Sequence, residues 1–197
     1  MGVGGRELLR LRRARFEEIG ESVLFSVSIP ELLPSRERDA MASIESGFAT
    51  TLAFEIKLYR TGSSVLLARH TRVVKIQWNP WKERYSVQIR DPGRGPSTRY
   101  FRERAQAIEK ATSIERFRIA MSADLNRGRR ATYFVTVVGQ RNPLDEPVAE
   151  AEPAGGRGQG RDLSAFSRWI GIFIKAAPKA EKTFAIRSSP AFYLLAK

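Results

Sequence analysis

Strict alternation of apolar and polar side chains is the feature that most constrains how this chain folds. It is clearest at residues 52–58, where Leu52, Phe54, Ile56 and Leu58 alternate with small or charged residues. A period of two puts one set of side chains on one face of a β-strand, so the segment predicts a strand with one buried face. The same period recurs at 21–29, 65–78, 85–89, 117–121, 133–137 and 184–188.

Short turns separate the segments 52–58, 65–78 and 85–89, which predicts an antiparallel meander. Strands in hairpin order favour two packed antiparallel sheets over a parallel sheet. We therefore predict a mainly β chain, an antiparallel β-sandwich of about seven strands with a few short peripheral helices.

Helical spacing of apolar residues is confined to three segments, 35–47, 102–114 and 162–174. Ser35 is the expected N-cap of the first helix. Residues 1–20 predict a basic tail or a marginal helix, and residues 21–197 a single β-rich domain. Within that domain, the acidic and glycine-rich stretch 142–161 predicts a flexible loop.

The residue types that carry most enzyme and metal chemistry are scarce. The chain has no cysteine and one histidine, His70, which excludes disulfides and thiolate sites and argues against an imidazole metal site. His70 lies among arginines and is expected on a solvated strand face. No serine-nucleophile motif occurs, and the glycine spacing at 155–160 lacks the Lys and Ser or Thr of a phosphate loop. We expect no enzyme activity, catalytic residue, metal, cofactor or small-molecule ligand.

Positive charge is concentrated in the middle of the chain. The protein has 34 basic and 21 acidic residues, a formal net charge of +13. Residues 60–130 contain seventeen basic and six acidic side chains, a net charge of +11. This bias has two interpretations, an arginine-rich codon usage or a surface that binds a polyanion. The basic residues nearest to an aromatic pair are Arg94, Arg99, Arg102 and Arg104, and Tyr100 is the aromatic candidate among them.

Two tryptophans flank the turn between the second and third strands of the meander. Trp78 and Trp81 surround Asn79 and Pro80. Exposed, they would suit a protein partner or a membrane interface. We favour the alternative, in which one packs on the end of the sandwich and the other on its turn, because large aromatics usually supply core area.

The order of these segments resembles a known bacterial family. The quoted motifs are a strand like S-V-x-F-S-V from Ser22, L-x-F-x-I-x-L at 52–58, R-x-V-x-I-x-W at 72–78, Y-x-V-x-I at 85–89, A-x-A-I-E at 105–109 and Y-x-V-x-V at 133–137. This pattern, over about residues 22–192, is similar to the family called domain of unknown function 4390. The resemblance implies no active site and implies a location in the bacterial envelope. The N-terminus has the charge of a signal peptide without its apolar region, so a cytoplasmic location stays open.

The combined expectation is a non-enzymatic binding domain of the bacterial envelope. Its expected partner is an unidentified protein, contacted through the tip at Trp78 and Trp81 and through the turn from Arg94 to Arg104. The alternative is binding of nucleic acid or acidic lipid through the basic region 60–130.

Overall fold

A computed structural model describes residues 9–143, 151–153 and 180–196. The predicted helix at 162–174 and the glycine spacing at 155–160 lie outside these residues, as does most of the predicted loop at 142–161.

The described residues form eleven strands and two α-helices. The strands are β1 (Arg10–Arg13), β2 (Arg15–Ile19), β3 (Ser22–Ser28), β4 (Thr50–Arg60), β5 (Leu66–Asn79), β6 (Arg84–Arg90), β7 (Ser97–Phe101), β8 (Ser113–Met121), β9 (Tyr133–Pro143), β10 (Ala151–Pro153) and β11 (Ala180–Ser189). The helices are α1 (Arg38–Glu45) and α2 (Arg104–Thr112), and 3-10 turns span Pro30–Leu32 and Ser122–Asp124.

The strands make one large and one small sheet. In the large sheet the order is β1-β11-β9-β4-β5-β6-β7, with β10 added beside β5, and in the small sheet it is β2-β3-β8. All pairs are antiparallel except β1 with β11. The mainly β sandwich is confirmed, as is the meander, which comprises β4, β5 and β6 and continues into β7.

The core is built from one face of each sheet. On β4, the alternating residues Leu52, Phe54, Ile56 and Leu58 are each at most 1% exposed. The small sheet contributes the alternating buried residues of β3, among them Phe25. The helices α1 and α2 pack against the meander, where the small sheet does not extend. Burial of apolar area on this scale is the main favourable term in folding.

Three expectations about local structure are corrected. Residues 10–13 and 15–19 form β1 and β2 where a tail or marginal helix was expected, because β1 pairs with β11 and Phe16 of β2 stacks on Phe192 at a centroid distance of 4.0 Å. Residues 151–153 pair with β5 although they lie in the predicted loop. The N-cap of α1 is Glu37 and not Ser35, and no side chain caps this helix.

A buried arginine fixes the connection between β3 and β4 to the large sheet. Arg141 on β9 is 5% exposed, and its Nη1 donates to the Leu32 carbonyl at 3.1 Å. Its Nη2 and Nε donate to Glu37 at 2.5 Å and to Glu181 at 3.0 Å. Lys182 also binds Glu37, at 2.8 Å. Hydrogen bonds from Arg141 and Lys182 lower the pKa of Glu37 to about 2.

The same connection depends on a position without a side chain. Leu32 is fully buried against Gly139 of β9, and a Cβ at Gly139 would lie 2.5 Å from the Leu32 Cδ1. This contact is too short for any real side chain, so Leu32 fills the space that a residue other than glycine would need.

We predict that Gly139→Ala lowers the free energy of unfolding by about 1–3 kcal/mol, because the added methyl group overpacks the site. Urea denaturation measures the change. Gly95→Ala is the matched control, since a Cβ there meets nothing within 4 Å, and it should change stability by less than about 0.5 kcal/mol. Equal losses in the two variants would contradict the packing assignment.

Candidate functional site

Strand β6 separates the sequence-predicted site residues into two groups. One end of β6 carries the turn to β5 with Trp78 and Trp81, here called the tip, and the other end carries the turn to β7 with Arg94. Seven residues of strand span about 23 Å. The two predicted contact regions therefore meet only through β7, which returns antiparallel to β6 toward the tip.

Trp78 belongs to a row of aromatic side chains on the core side of the meander. It pairs across the ladder with Tyr85, which pairs with Phe101. The rings of Trp78 and Tyr85 lie 4.6 Å apart. An ion pair between Arg104 and Glu45 links α2 to α1. Because Trp78 is half-buried and packs on the core, it serves the fold, as expected for a packed tryptophan.

Trp81, unlike Trp78, is exposed to solvent, so the expectation that it packs on the fold was wrong. Its side chain is 94% exposed. The turn that carries it is ordered by its own hydrogen bonds, since the Lys82 amide donates to the Asn79 side chain at 3.0 Å. Glu83 adopts a φ of 46°, which reverses the chain into β6. The tip thus holds a large aromatic side chain in solvent on a defined turn.

Strand β7 forms one edge of the large sheet. It pairs only with β6 among the described residues, and four of its five residues are exposed. Tyr100 is 58% exposed on the outer face, where the Arg84 guanidinium lies 5.9 Å from its ring centroid. Arg99 is exposed on β7, and Arg102 is exposed directly after it. Neither makes an ion pair with a carboxylate of the described chain.

Arg94 lies at the far end of β6 and lines a different feature. A depression of about 60 Å³ opens there between β5, β8 and the turn from β6 to β7. The residues that line it are His70, Asp91, Pro92, Arg94, Phe117 and Arg118.

The expected solvated position of His70 is corrected. The side chain is half-buried and faces β8, where its Nε2 lies 2.9 Å from the Ile119 carbonyl oxygen. A carbonyl oxygen only accepts, so Nε2 carries the proton. The ring meets Phe117 edge-on at 5.4 Å. Burial lowers the pKa of His70, with a further contribution from the positive charge of Arg118.

Arg72 is the polar residue that the sequence interpretation missed. It lies on the same face of β5 as His70 and is 4% exposed. Burial lowers the pKa of Arg72, and Asp91 opposes that shift. The alternation along β5 could have indicated this burial, because Arg72 lies two residues before the buried Val74 and therefore faces the core.

Acidic residues of the fold neutralise part of the positive charge of residues 60–130. Strand β2 brings acidic residues to two arginines of the basic region 60–130, since Glu17 lies 3.9 Å from Arg116 and Glu18 binds Arg127. These pairs reduce the positive charge that Arg116 and Arg127 offer to a polyanion.

The described residues contain no group of three or more His, Asp or Glu side chains placed to hold a metal ion. None of the helices in this part of the chain combines the length and apolar character needed to span a bilayer.

The matched family accounts for the elements that build the tip and the depression. Residues 7–144 match the model of a domain of unknown function, DUF4390. The chain belongs to the DUF4390 family. The match includes β1 to β9, whereas β11, which DUF4390 does not cover in this chain, completes the large sheet between β1 and β9. No curated protein and no solved structure matches the chain.

We predict that the stability of the protein falls as the pH is lowered below about 6.5. The folded pKa of His70 is below its ordinary value of 6.5, so the unfolded chain binds a proton first and unfolding is favoured on acidification. Urea denaturation at pH 7.5, 6.5 and 5.5 measures this effect.

His70→Gln removes the only imidazole and is the control. The difference in unfolding free energy between wild type and variant should change only as the pH falls below about 6.5. A difference that stays constant from pH 7.5 to pH 5.5 would contradict the lowered pKa.

Proposed function

We propose that this protein is a non-enzymatic binding domain of the bacterial envelope that recognises another protein. The observation that carries the proposal is the 94% exposure of Trp81 on an ordered turn. Tryptophan is among the residues most enriched at the energetic centres of protein interfaces. Burial of this apolar area in an interface would be favourable.

The order of the tip favours binding through Trp81. The hydrogen bond from Lys82 to Asn79 and the ladder between β5 and β6 restrict the turn before any partner arrives. A turn that is already ordered loses less conformational entropy when it binds.

The exposed edge of β7 extends the proposed surface. The edge of β7 that faces away from β6 has no strand partner among the described residues. An extended peptide can add to such an edge through main-chain hydrogen bonds. Arg99 and Arg102 supply unpaired positive charge, and Tyr100 supplies an exposed ring. These features suit a partner segment that is extended and acidic.

The proposed envelope location rests on the family resemblance. Fractionation of cells that express the natural gene tests it. Recovery of the protein in the cytosolic fraction alone would contradict it.

We predict that a photo-crosslinker at position 81 captures one discrete protein in native cells. The control is the same crosslinker at Val65, which is 60% exposed in the turn at the opposite end of β5. The product at position 81 should disappear when Arg99 and Arg102 are replaced by alanine. Equal labelling from positions 81 and 65, or none from either, would contradict the proposal.

Thermal unfolding separates this role from a structural one. Trp81→Ala should leave the melting temperature within about 2 °C of wild type, since exposed substitutions change stability little. Trp78→Ala should cost about 3 kcal/mol, because its ring packs on Tyr85. A comparable loss for Trp81→Ala would show that Trp81 supports the fold.

Binding of a polyanion is the second candidate function. The exposed Arg94, Arg99 and Arg102 favour it, because none of them is paired with a carboxylate in the described part of the chain. Counterion release makes such binding fall steeply with salt. We predict that, if this candidate holds, DNA or anionic vesicles bind at 50 mM salt and are lost by 200 mM. No binding at 50 mM salt would exclude it.

A further inference from the structure

The depression at the far end of β6 forms where the edge of β5 changes partners. Strand β6 pairs with Val73 to Asn79, and β10 pairs with Ala68 to His70 on the same edge. Thr71 and Arg72 lie between the two pairing strands. The turn that begins at Asp91 crosses this gap, and β8 faces it from the small sheet.

Arg72 is buried behind the depression without full hydrogen bonding. Its side chain is 5% exposed, and its Nε lies 3.2 Å from the Asp91 Oδ1. This contact is an ion pair without hydrogen-bond geometry. Nε and Nη1 of Arg72 and Oδ1 of Asp91 have no hydrogen-bond partner among the described residues. An unmade hydrogen bond of a buried charged group is costly, so the positive charge of Arg72 is not fully compensated and favours an anion nearby.

Positive charge exceeds negative charge around the depression. Arg94 and Arg118 line it, and neither makes an ion pair with a carboxylate in the described chain. Arg72 does not line the depression but contacts the lining residue Asp91. The three guanidinium groups and the carboxylate of Asp91 give these four side chains a net charge of +2, which favours a dianion. A space of about 60 Å³ holds a few water molecules or one small oxyanion.

We propose that this depression binds a phosphate group. Guanidinium groups bind phosphate oxygens through paired, charge-assisted hydrogen bonds. Arg94 and Arg118 contact the phosphate from the exposed mouth, and Arg72 provides a buried positive charge behind it. Asp91 orients Arg72 and limits the excess charge. His70 and Phe117 form the wall toward the core.

Isothermal titration of the full chain with inorganic phosphate tests the proposal, with chloride added to keep the ionic strength constant. We expect saturable binding of one phosphate per chain. Arg118→Gln and Arg94→Gln should each weaken it at least fivefold. Both residues are exposed, so neither variant should unfold the protein. Arg130→Gln removes the same charge from an exposed loop position outside the depression and should change affinity less than twofold.

Two further ligands define the chemistry of the site. If glycerol 3-phosphate binds more tightly than inorganic phosphate, the ligand is a larger phosphomonoester. If it binds equally or more weakly, the ligand is the free phosphate ion. Acetate should bind more weakly than either. The proposal is overturned by absence of saturable phosphate binding, by acetate binding as tightly as phosphate, or by equal losses in Arg118→Gln and Arg130→Gln.

Discussion

Burial of the core-facing side of β4 is the constraint on which the rest of the structure depends. Strand β4 lies at the centre of the large sheet between β5 and β9, and its alternating apolar residues need a cover. The small sheet has three strands and covers only part of a seven-strand path. The helices α1 and α2 pack on the meander beyond it. The fold also buries two arginines, Arg72 and Arg141, on the strands of the large sheet.

Two buried arginines show how differently the fold treats such groups. Arg141 donates through all three nitrogens to Leu32, Glu37 and Glu181, and the hydrogen bond to Glu37 raises its pKa. Arg72 has one imperfect ion pair, and burial lowers its pKa. A fully satisfied buried network rigidifies a structure, whereas a partly satisfied one leaves a buried charge without full compensation. Arg141 therefore serves the fold, whereas the incompletely compensated charge of Arg72 favours an anion in the adjacent depression.

The fold class could be predicted because it depends on alternation within single strands. The segments around Phe54 and Val87 show their period directly, and the structure places strands there. Strands β1, β2 and β7 were missed because they are edge strands with mostly exposed residues, which gives no apolar period. Their position depends on partners far away in sequence, such as Phe192 for β2. Local pattern contains no information about such contacts.

The residue types of the candidate surfaces could be predicted from the sequence, but which of these residues lie together could not. A basic and aromatic cluster was visible in the sequence, yet Trp81 and Arg94 lie beyond opposite ends of β6, a strand about 23 Å long. Which residue meets Arg94 depends on the packing of β8 on β5, and no sequence spacing encodes that. The separation also has a functional consequence. Substitutions more than about 10 Å apart with no shared partner act additively. The tip and the depression are therefore two surfaces that mutation can remove one at a time.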